Sequence, residues 1–281
     1  MKLSRVAGYF NRVPCVDAYT GDLAFKCQVA PYDDSRRDSA MVARRILSVG
    51  PDAVIPPRRV VLAEGQRYVL GEDNPDIFNG AVIRRALIAH SAPHQVTIQT
   101  LSDVCSGAAG QTAFGNLAWV KNAAFTEQGS ELVPEYQFFL SATEPVAVST
   151  VLTVQGQPYL VRAVDRGASG LLIPVAEQMS LSALDPSATV RVSTYNKVAG
   201  SSAEQSTTAR VLSLRWQSLY HYGHKGSPSY GPDEQVMLVS KASVPSLPVG
   251  STIENNTGFW RVSAVGDPVP GAWLCRVVLN A

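Results

Sequence analysis

Short runs of alternating apolar and polar residues recur along this chain, and they recur in register. Around one aromatic position, Tyr159, Val161 and Ala163 share a parity, and Trp260, Val262 and Ala264 repeat it a copy later. A period of two predicts strands with one buried face. The stretches Arg59-Val60-Val61-Leu62 and Val151-Leu152-Thr153-Val154 read as the preceding strands. Between each pair lies a turn: Glu64-Gly65, Gln155-Gly156, or Asn255-Asn256-Thr257-Gly258. Gly65, Gly156 and Gly258 supply the positive φ that tight hairpins require.

After the aromatic strand comes a polar stretch of turn formers, Glu72-Asp73-Asn74-Pro75-Asp76 in the first case, then a glycine and a third apolar strand. From Tyr68 to Gly80, Tyr159 to Gly170 and Trp260 to Gly271 the spacing is 12, 11 and 11 residues. Upstream, Ile46-Leu47-Ser48, Phe139-Leu140-Ser141 and Leu238-Val239-Ser240 precede the aromatics by 20, 18 and 20 residues, counted from the serine. Val96-Thr97-Ile98 and Val190-Arg191-Val192 open the second and third copies. A repeat of this kind organises the whole fold. The expectation is all-β: three tandem small β-barrel or sandwich modules with long loops, at residues 1–92, 93–186 and 187–281. Each is a three-strand meander plus one or two strands from upstream, with Tyr68, Tyr159, Trp260, Val161 and Val262 as structural core. The best helical stretch, Ser39–Ile46, is short, and the repeat claims its end for a strand. Long loops are expected at Ser102–Gly115, Lys197–Thr208 and Gln217–Asp233.

Composition changes the picture in one respect. Charged residues make up only 17% of the 281 residues, against roughly 25% in ordinary soluble proteins. Such a surface suits pairing with other subunits, and equally a Ser- and Thr-rich sandwich. The net charge of +1 gives no global field toward nucleic acid or membrane. By copy, Lys plus Arg against Asp plus Glu number 13 and 10, 3 and 8, then 8 and 5. An acidic module between two basic ones suits side-by-side packing of neighbouring copies. Four arginine pairs in the first copy, Arg36-Arg37, Arg44-Arg45, Arg58-Arg59 and Arg84-Arg85, either touch phosphates or pair with second-copy carboxylates of a neighbour, the second being favoured.

Candidate chemistry is sparse. Cys15, Cys27, Cys105 and Cys275 form no CxxC pair and read as buried free thiols. Gly107–Thr112 lacks the Gly-Lys of a phosphate loop, and no Gly-x-Ser-x-Gly elbow is present. Asp33-Asp34 and Asp233-Glu234 lie in polar runs and read as solvated. His221 and His224 stand three apart without a Cys or carboxylate at ligand spacing, so they read as loop residues, not a metal site. The expectation is no catalysis, no cofactor and no metal. With Tyr220, Tyr222 and Tyr230 those histidines form a loop rich in Tyr, Ser and Gly, an adaptable contact surface. No apolar run approaches a membrane span, and the N-terminal residues do not read as a signal peptide, so cytoplasmic synthesis is expected.

The pattern of turn glycine, aromatic and then Val or Leu, as in Gly65/Tyr68/Leu70, Gly156/Tyr159/Val161 and Gly258/Trp260/Val262, resembles the head–tail joining and head-closure proteins of tailed bacteriophages. The resemblance implies a small barrel with long loops, assembled as a ring between portal and tail proteins around a DNA channel, in a virion built in the host cytoplasm. The family has no catalytic residues to carry over. Its usual member has one module and this chain has three, which opens collar, adaptor or nozzle roles. Alternatives are a tail-tube, baseplate or capsid-decorating protein, or a carbohydrate-binding or adhesion repeat.

Overall fold

The computed structural model describes residues 13–32, 43–120, 135–166, 170–196, 201–214, 234–269 and 271–280. They form three closed antiparallel barrels of six strands each. The first holds β1 (Val13–Asp17), β2 (Leu23–Pro31), β3 (Arg44–Val49), β4 (Val60–Ala63), β5 (Gln66–Phe78) and β6 (Ala81–Ser91). The second holds β7 (His94–Gln99), β8 (Gln111–Val120), β9 (Glu135–Ser141), β10 (Val151–Val154), β11 (Gln157–Arg166) and β12 (Leu171–Gln178). The third holds β13 (Leu184–Asn196), β14 (Ser201–Leu214), β15 (Glu234–Ser240), β16 (Thr252–Asn255), β17 (Gly258–Val269) and β18 (Ala272–Leu279).

One plan serves all three. In the first barrel two meanders, β1-β2-β3 and β4-β5-β6, join where β3 meets β6 and β1 meets β4. Upstream of the aromatic meander each barrel therefore has three strands, not the one or two expected. Closure of the sheet leaves no unpaired edge. The serine-ending landmarks fall on the equivalent strands β3, β9 and β15, and the Val-x-Ile and Val-x-Val landmarks on β7 and β13.

Inward residues alternate, as a half-buried strand requires. Leu47, Val49, Val61, Tyr68, Leu70, Leu87 and Ala89 fill the first barrel. Phe138, Leu140, Leu152, Tyr159, Val161 and Leu172 fill the second, and Val211, Met237, Val239, Ile253, Trp260 and Val262 the third. The alternation breaks at one equivalent place in each. Bulges fall between Leu70 and Asp73, Val161 and Ala163, and Val262 and Ala264. An extra residue flips the parity of the positions after it. Ala163 and Ala264 are consequently exposed, contrary to the simple period, and Val164 and Val265 pack against the cores instead.

In the third barrel the reversal falls at Asn256-Thr257, and Gly258, expected as the turn glycine, already belongs to β17 opposite Asn255. The first two turns are of the expected hairpin type. Glu64 and Gly65 have φ of 49° and 74°, and Gln155 and Gly156 have 51° and 82°. Positive φ at both central residues matches the right-handed strand twist. The polar loop expected at Glu72–Asp76 is corrected: β5 continues through it to Phe78, and the reversal comes at Asn79-Gly80, φ 48° and 75°. Of the matching loops expected at Asp165–Gly167 and Gly266–Pro270, Asp165-Arg166 and Gly266–Val269 likewise belong to β11 and β17, and Gly167 and Pro270 lie outside the described residues. Lys197–Thr208 is mostly strand too, since β13 runs to Asn196 and β14 starts at Ser201.

Among the described residues one α-helix appears, α1 (Leu101–Ser106), overlapping the segment Ser102–Gly115 expected as a loop, whose end from Gln111 belongs to β8. Thr100 and Asp103 cap it reciprocally, and Gly107 ends it in the left-handed conformation at φ 76°. The glycine-rich stretch thus terminates a helix, whereas a phosphate loop opens one. By packing, the first barrel and most of the second form one compact unit, and the third barrel with residues 99–111 and 149–151 forms another.

Candidate functional site

The landmark aromatics lie inside their barrels: Tyr68, Tyr159 and Trp260 are 3%, 6% and 4% exposed. Val161 and Val262 are buried beside them. Tyr159 meets Phe138 and Tyr136 edge-on, at centroid distances of 5.3 and 5.1 Å. The Trp260 indole N–H donates to Asn255 Oδ1 at 3.3 Å across its turn. These residues hold the scaffold. Of the proposed contact loop, Tyr220, His221, Tyr222, His224 and Tyr230 lie outside the described residues, as do Arg36, Arg37, Asp33, Asp34 and Asp233.

The described arginines of the first barrel are occupied within the chain. Arg58 Nη2 donates to Glu144 Oε2 at 2.7 Å and to Thr112 O at 2.7 Å, both in the second barrel. Its guanidinium lies 3.6 Å from the centre of the Tyr19 ring. Burial and the Glu144 carboxylate push the Tyr19 phenol up, so it stays protonated and donates to Glu144 Oε1 at 3.1 Å. Around this group Val60, Val69, Ala92 and Leu171 are buried together, with Tyr19 and Phe114 packed on them. Arg67 stacks on Phe114 at 4.4 Å, and His90 lies parallel to Phe139 at 6.1 Å. Arg59 donates to the backbone carbonyls of Leu70 and Gly71. The expected match of first-copy arginine to second-copy carboxylate thus occurs at Arg58, but in cis.

Among the described residues the β5–β6 hairpin groups several exposed apolar side chains. Past the bulge its end carries Ile77, Phe78 and Val82 at 65%, 63% and 40% exposure. Ion pairs Arg84–Asp76 and Arg85–Asp73 brace the two strands, and Arg85 Nη1 donates to Ala53 O at 2.7 Å. A hairpin braced in this way has little further freedom to lose on contact. Its sequence signal was Phe78-Asn79-Gly80-Ala81, an Asn-Gly turn between apolar residues. The polar run at Glu72–Asp76 drew the turn away from it.

Among the described residues no three His, Cys, Asp or Glu side chains gather as a metal site would need. Burial pushes the Cys105 and Cys275 thiols up to about 12. Comparison with protein-family models, curated proteins and solved structures finds no match to this chain.

Proposed function

We propose that this chain is a structural virion protein of a tailed bacteriophage, forming a ring in the head-to-tail connector between portal and tail proteins. The observation that carries the reading is the threefold repetition of one closed barrel built on the turn-glycine, aromatic, Val or Leu pattern. In this reading the barrels are wall elements, with no catalytic step, metal or cofactor, and the DNA channel is passed without strong phosphate binding. Ring closure needs heterologous contacts, one surface of each copy meeting a different one on the next. The braced apolar end of the β5–β6 hairpin suits the projecting half of such a contact. Charge alternation between modules supports it less, because Arg58, Arg84 and Arg85 are paired within the chain.

The deciding experiment is imaging of the native particle with an antibody fragment or fused label on this chain. A ring with a central channel at the head–tail junction is the expected result. Label on the tail tube, baseplate, nozzle or capsid face would move the chain to another virion part. Absence from particles, with specific binding to a glycan array, would replace the reading with adhesion.

A further inference from the structure

Cys15 on β1 and Cys27 on β2 are both fully buried in the first barrel, and their sulfurs lie 2.7 Å apart. Packed carbon atoms sit about 3.5–4.0 Å apart, and sulfur is larger than carbon. A disulfide bond measures about 2.05 Å. The pair is therefore held closer than thiols pack and close to bonding distance. The strand register explains the approach. Val13 pairs with Cys27 and Cys15 with Phe25, so the two cysteines are diagonal neighbours on the inward face. A bulge lies directly between Cys15 and Val16, and bulges increase local twist.

We propose that Cys15 and Cys27 form an oxidisable dithiol that locks the first barrel when the chain meets a disulfide-bearing oxidant such as oxidised glutathione. One thiolate attacks the glutathione disulfide, forming a mixed disulfide and releasing one glutathione. The second thiolate attacks the protein-bound sulfur and releases the other. Two protein thiols become one disulfide, and two glutathione thiols carry away the protons and electrons. The barrel supplies a route for entry. The seam between β1 and β4 is registered at two residue pairs, Val16 with Leu62 and Asp17 with Val61, the shortest in this barrel, so opening there lifts β1 and uncovers the pair. Their contact pushes the Cys15 thiol up and the Cys27 thiol down, and because both residues are fully buried glutathione reaches Cys27 only when β1 lifts. Once bonded, β1 is tied to β2 and this opening mode is lost. The dithiol stands whether or not the chain is a connector.

The test uses the whole chain, first reduced and then incubated with oxidised glutathione. The chain's four cysteines make thiol counting simple. Titratable thiols under denaturation should fall from four to two, with a protein lighter by two hydrogen atoms. A non-reducing peptide map should link Cys15 to Cys27, and the melting temperature should rise and return on reduction. Cys27→Ala should lose both the link and the thermal shift, while Cys105→Ala keeps them. The wild-type count and map decide the matter even if Cys27→Ala does not fold. Persistence of all four thiols, a lasting glutathione adduct, or a link to Cys105 or Cys275 would overturn the proposal.

Discussion

Arg58 and Glu144, 86 residues apart in sequence, form a bidentate contact in which Arg58 Nη2 reaches both carboxylate oxygens, at 2.9 and 2.7 Å. The two ends are unequal: the Glu144 side chain is almost wholly buried, and Arg58 remains about a third exposed. Removing the arginine takes the Arg58 charge from a buried carboxylate and leaves the neutral Tyr19 hydroxyl donating to it, whereas removing the carboxylate leaves an arginine that can turn to water. Arg58→Ala should therefore cost about 3 kcal/mol or more, and Glu144→Gln distinctly less. Urea unfolding of the two variants checks the order, and equal costs would mean that the contact is not desolvated.

Tyr159 is held by Phe138 and Tyr136 inside the second barrel. Tyr159→Ala should cost roughly 3–5 kcal/mol, and Tyr159→Phe much less, because packing dominates the site. Hydrogen exchange should show protection lost across β7 to β12. Undiminished protection there would contradict the core assignment.

His90 is buried against Phe139 with its Nδ1 unpartnered. Burial, and then the neighbouring Arg44 charge, lower its pKa from 6.5 to about 4, against a smaller opposite pull from Glu72. The folded state thus binds the proton more weakly than the unfolded chain. Stability from a neutral His90 is complete above pH 6.5 and drains away as pH falls toward 4, by about 3 kcal/mol at the lower end. His90→Gln should flatten that part of the stability profile. An unchanged slope would assign the loss to other groups.

Ile77 and Phe78 touch solvent, so replacing both with serine should change the melting temperature little. If the hairpin end is a contact between copies or with portal or tail proteins, the same double variant should fail to enter particles. Normal incorporation would remove the hairpin from the proposed ring contact.

Much of the barrel plan is written locally. Alternation around Tyr159, the Gln155-Gly156 turn and the matching landmarks on β3, β9 and β15 depend on neighbours a few residues away, so a repeat and an all-β fold are legible in the sequence alone. Local polarity misled at Glu72–Asp76, because a strand that leaves the barrel is wetted on both faces and has the composition of a loop. Six residues of α1 are too few to display a helical period, although Thr100 and Asp103 carry its cap. Tertiary structure alone decided the rest. The bulges after Leu70, Val161 and Val262 arise as the sheet curls to close, and they expose Ala163 and Ala264 against the simple period. Pairing of β1 with β4, the meeting of Arg58 with Glu144 and the approach of Cys15 to Cys27 all rest on strand register and closure. Those are set by how whole sheets bury their inner faces, which no single stretch of sequence records.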